Sequence, residues 1–89
     1  MTVPEKQPPI AKYIETDPRR GPAEARLIDS GVPVWIVVDH YRLAAGDIDR
    51  VAADYELPRE AVEAALAYFE GHEHAIDARI KAHHAAFAA

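Results

Sequence analysis

Residues 51–66 read VAADYELPREAVEAAL, and the fold turns on how this stretch is read. Ile48 just before it, then Val51, Ala52 and Tyr55, recur at helical spacing. Leu57-Pro58 interrupts, because proline disfavours the α conformation in the residue before it. Val62, Ala65, Leu66 and Phe69 resume the spacing, with Glu60 and Glu63 near the electropositive start of a second helix. Two short helices on a tight turn are the layout of a helix-turn-helix. Ala52 is small enough for a close helix crossing, and Tyr55 and Leu57 can pin the turn to a core. Glu56 stands where many such turns place glycine; a glutamate with positive φ costs on the order of 1 kcal/mol. Any two packed helices on a short loop give a similar pattern, so the pattern alone leaves both readings open.

The charge speaks against simple DNA reading. The stretch holds four carboxylates and one arginine. Arg59, Glu60, Glu63 and Ala64 are the positions expected to face a groove, and only Arg59 can pair with guanine or phosphate. The whole chain of 89 residues carries a net charge of −5, so it does not attract phosphate in bulk. Residues 1–33 are balanced and the deficit lies in the helical part. Any DNA contact must therefore draw on Arg19, Arg20, Arg26, Arg42 and Arg50 for the backbone, with Arg59 on the second helix.

Outward from the turn, the chain divides into three parts. Residues 1–12, with Pro4, Pro8 and Pro9, read as a flexible arm. Residues 13–71 form the helix-turn-helix-like domain, and residues 72–89 a helical tail. AKYIET and ARLI read as short strands, with a turn at Asp29-Ser30-Gly31. Val34–Val38 fits a buried strand or a buried helix opened by Pro33 and closed by Gly46 at the C′ position. The continuation DHYRLAA favours the helix. Asp47 is a natural cap for the next one.

Other chemistry is thinly represented. The apolar run Val32–Val38 is too short to span a bilayer, the N-terminus has no signal-peptide core, and the cytoplasm is the default. The chain has no cysteine. The histidines lack the i, i+4 spacing of a helical zinc pair. Ser30 has no placed base. Neither an enzyme, nor a metal, nor a cofactor is expected. Phe69, Ile76, Ile80 and Phe87, at intervals of seven, four and seven, read as one stripe on a continuing helix. The stripe is expected to finish the core, form a homodimer seam, or lie on another protein.

The order and spacing of Pro33-Val34-Trp35, Gly46-Asp47-Ile48, Tyr55-Glu56-Leu57, Ala64-Ala65-Leu66-Ala67-Tyr68 and His72 with Ile76-Asp77 resemble the small bacterial family called domain of unknown function 433. That family in turn is similar to VapB-type antitoxins. The resemblance, from about Tyr13 to Ile80, implies that VPVWIVV opens a helix. It implies a mainly α domain with a short N-terminal β element, winged-helix-like, ending in a C-terminal helix. It further implies neutralisation of a PIN-like ribonuclease toxin by direct contact, and binding of operator DNA as a dimer. Tyr68, Glu73, Ile76, Asp77, Ile80 and Phe87 are the expected partner contacts. The alternative is a non-catalytic homodimeric interaction module that binds no DNA. One departure stands out: Asp29-Ser30-Gly31-Val32 replaces the Gly-Thr-Arg-Ile common in the family, so an acid stands near where relatives carry a base.

Overall fold

The computed structural model describes residues 9–88; most of the arm expected over residues 1–12 lies outside them. The chain is mainly helical. A single turn, α1 (Ile10–Tyr13), leads into β1 (Ile14–Glu15); a 3-10 turn at Pro22–Glu24 precedes β2 (Arg26–Leu27). Then follow α2 (Val34–Leu43), α3 (Ile48–Asp54), α4 (Arg59–Glu70) and α5 (Glu73–Ala88). Among the described residues no helix is long and apolar enough to cross a membrane.

The β element is small but well tied. β1 and β2 pair antiparallel, Ile14 opposite Leu27 and Glu15 opposite Arg26. On the other edge of β2, Leu27 N–H donates to the Val32 carbonyl at 2.8 Å, and Val34 N–H to that of Ala25 at 2.9 Å. The turn between them holds Gly31 at φ 74°, and the Ser30 hydroxyl accepts from Val32 N–H at 3.2 Å. The strand read over AKYIET is thus only half strand. Its first half is the turn of α1, closed by Lys12 N–H on the Pro9 carbonyl at 3.1 Å.

Val34–Val38 is helix, and its burial explains the ambiguity of its sequence. Val34, Trp35, Val37 and Val38 are all buried, so nearly every side chain of the first turns is apolar. A run buried on most sides shows no period. Both α2 and α3 then end in the same hydrogen-bond pattern. Gly46 N–H reaches back to the Tyr41 carbonyl and Ala45 N–H to that of Arg42; Leu57 N–H reaches Ala52 and Glu56 N–H reaches Ala53. These are Schellman motifs, which need a left-handed residue at C′. Ala45 takes that position at φ 55° and Glu56 at φ 53°. Glu56 therefore takes the positive φ that many such turns give to glycine. The C′ residue of α2, however, is Ala45 and not Gly46, which follows it with its own φ of 81°. Asp47 caps α3 as expected, its side chain accepting from Arg50 N–H at 3.0 Å.

α4 is packed by α1, β1, α2, α3 and α5 together. That is why Ala64, expected to face outward, is fully buried beside Ala61, Val62 and Ala65. The tail differs more from expectation. The chain leaves the helix at Gly71-His72, and Ile76 N–H then bonds the His72 carbonyl to start α5 in a new direction. The His72 ring stacks on Tyr68, centroids 4.2 Å apart, and fixes the corner. Phe69 and Phe87 are therefore not on one helix. Ile76 and Ile80 enter the common core with Ile14, Leu27, Val37, Val51 and Val62. Arg79 lies over the Trp35 ring at 4.4 Å and pairs with Glu24 at 3.6 Å, clamping α5 over α2 and the 3-10 turn.

Candidate functional site

An open groove of about 580 Å³ lies between α2, the start of α3 and α4. Its apolar surface comes from Val38, Tyr41, Ile48, Leu66, Ala67 and Phe69, and its charged edge from Arg42, Arg59, Glu63 and Glu70. Tyr41, Ile48, Leu66 and Phe69 are half-buried against the core, so each keeps an apolar face toward solvent. α4 can do this because its apolar arc is broad. One side, Val62 and Ala65, fills the core; the next, Leu66 and Phe69, reaches the groove.

Both rim arginines are held within the chain. Arg59 opens α4 and bonds Asp49 of α3, while its Nε bonds Glu63 at 2.9 Å. The Asp49 contact, with Glu63 adding to it, raises the Arg59 pKa further and fixes the charge. Arg42 bonds Asp77 of α5 at 2.7 Å, its guanidinium 5.2 Å from the Phe69 ring centroid. The charged lining itself balances, Arg42 and Arg59 against Glu63 and Glu70, and Asp49 and Asp77, which hold the two arginines from outside it, make the rim and its surroundings acidic.

The structure does not gather the six expected DNA-contact arginines. Arg19 and Arg20 are exposed on the loop after β1, 3.7 and 3.8 Å from Asp17. Arg20 and Arg26 share a polar hollow with Glu15, Asp17 and Glu24. Arg50 bonds Asp54 at 3.1 Å along α3. Arg42 and Arg59 line the α4 groove, and they do so beside carboxylates.

The expected partner contacts divide by depth. Tyr68, Ile76 and Ile80 are buried in the chain's own core, so the single chain does not present them as surface. A stripe at helical spacing is what a core demands, and this small chain uses it for that. Burial also raises the pKa of the Tyr68 phenol. Glu73 is exposed and Asp77 is engaged with Arg42. Phe87 is 80% exposed. Two residues that the sequence did not single out are also exposed: Leu43 at 76% and Ile28 at 48%.

The family of proteins of unknown function DUF433 matches residues 14–69, which takes in all of α3, α4 up to Phe69 and most of the groove. The chain belongs to this family. No curated protein and no solved structure matches it. The matched segment stops just before Gly71, so α5 lies beyond the family's match although its residues complete the core of the DUF433 segment.

Proposed function

We propose that this DUF433 protein is an antitoxin-like module of a type II toxin–antitoxin pair, holding a PIN-like ribonuclease through the groove along α4. The observation that carries this reading is the groove itself, apolar on its floor and acidic on its rim. Such a groove fits an amphipathic helix that presents apolar anchors at i, i+3 or i+4, and i+7, flanked by Lys and Arg. A surface that handles RNA is basic, so a ribonuclease offers complementary charge.

The α3–turn–α4 layout resembles a helix-turn-helix in which α4 is the second helix. Its charge supports a protein occupant over DNA. For Arg59 to read a base it must leave both Asp49 and Glu63, and Glu63 and Glu70 would face phosphates. Operator binding is accordingly a secondary activity, carried by a dimer through Arg19, Arg20 and Arg26.

The test is co-purification with the product of the adjoining gene, with inhibition of its nuclease activity. Leu66→Lys puts a charge on the groove floor, and the expected result is a loss of binding of at least about tenfold, with helicity by circular dichroism unchanged. Full binding and inhibition by a folded Leu66→Lys protein would overturn the assignment to this groove.

A further inference from the structure

We infer that the opposite flank of α2 is the seam at which two copies of this chain pair. On that side a hollow of about 230 Å³ is walled by Trp35, Ile36, Asp39, His40, Leu43, Tyr55 and His83. Leu43, at the last residue of α2, is 76% exposed at its edge. His83 packs between Trp35 and Phe87, each ring centroid 4.8 Å from its own. Phe87 therefore extends the same patch, and at 80% exposure it offers on the order of 150 Å² of apolar area.

Two features select a second copy as the occupant. The first is shape. An isologous interface must match itself, so one face has to offer both a projection and a receptacle. Leu43 and Phe87 project, and the hollow beside them receives. The second is charge. A chain of net charge −5 resists self-association on most of its surface. Here the carboxylate of the hollow and the one beside it are already bonded within the chain: Asp39 to His84 at 3.1 Å, and Asp54 to His40 at 2.7 Å and to Arg50, whose cation answers its charge, at 3.1 Å. A copy thus meets a single carboxylate, Asp39, that has no Lys or Arg beside it among the described residues, and a strongly charged partner finds little to grip. The acidic rim of the α4 groove has the opposite character.

This seam is independent of the toxin reading, because it leaves the α4 groove open in each copy. Light scattering and sedimentation across micromolar to millimolar concentration test it. The wild-type protein should approach twice its chain mass. Leu43→Glu and Phe87→Glu, both changes at exposed sites, should hold it at one chain mass with unaltered circular dichroism, while Leu66→Lys should still pair. A wild-type protein that stays monomeric throughout, a Leu43→Glu protein that pairs as tightly as wild type, or loss of pairing in Leu66→Lys would each overturn the inference.

Discussion

The two halves of α5 carry parts of one apolar stripe and differ in fate. Ile76 and Ile80 are buried at 0% and 4% exposure, whereas Phe87, one heptad beyond Ile80, stands at 80%. Helical spacing alone places all three on one stripe. What separates them is the length of the body they lie on. α5 has 16 residues, about 24 Å at 1.5 Å per residue. Its first half crosses α2 and the 3-10 turn under the Arg79 clamp, His83 and His84 still reach Trp35 and Asp39 of α2, and only the last turn, with Phe87, stands clear of the core. Periodicity reports which face of a helix is apolar; the partner elements decide how far along that face the burial goes.

The sharpest way to break the comparison is to shorten a side chain in each half. Ile76→Ala should cost about 2–5 kcal/mol, because it opens a cavity in a filled core. Phe87→Ala should change the stability of the single chain by less than about 0.5 kcal/mol. Urea denaturation at low protein concentration checks both. Near-equal losses would mean that Phe87 is packed in solution. Truncation follows the same logic. A chain ending at Gly71 loses Ile76, Ile80 and the Arg79 clamp together and should not fold, so the matched segment 14–69 needs α5. A chain ending at Ala85 should fold and melt nearly as the full chain does.

Much of this was legible in the sequence, and the failures have a common cause. Asp47 as a cap and the turn at Asp29–Gly31 are local matters, settled within a few residues. Val34–Val38 stayed ambiguous because burial on most sides erases the period. Ala64 was misplaced because five elements, not one, surround α4. The corner at Gly71-His72 has no proline and no left-handed residue; it depends on His72 stacking on Tyr68 and bonding its carbonyl at 3.0 Å. The α4 groove could not be read at all, since it exists only once α2 and α4 are set side by side.

A smaller effect lies at the two helix ends that use side-chain-bearing residues in left-handed backbone. Glu56→Gly should stabilise the fold by at most about 1 kcal/mol, since glycine relieves the steric penalty but adds freedom to the unfolded chain. Glu56 is exposed, so little contact is lost. Ala45→Gly should behave alike. If either change destabilises, the motif does not persist in solution as it stands here.

The smallest expected effect concerns the wall that α3 gives to the outer flank of α2. His40 bonds Asp54, with Arg50 adding to it, and together they hold the Asp54 carboxyl below the usual carboxylate range. A group whose folded pKa is lowered adds stability at pH above its unfolded value, and that stability is lost as pH falls through the folded one. Asp54→Asn should therefore be slightly less stable than wild type near neutral pH. The gap should close in acid, below the ordinary carboxylate range. Because Asp54 is well exposed, added salt should shrink the gap at neutral pH as well. Denaturant midpoints of both proteins over a pH series provide the measurement. A gap that stays constant into acid would show that the Asn variant acts through packing or capping, and that the His40–Asp54 pair contributes nothing to the flank.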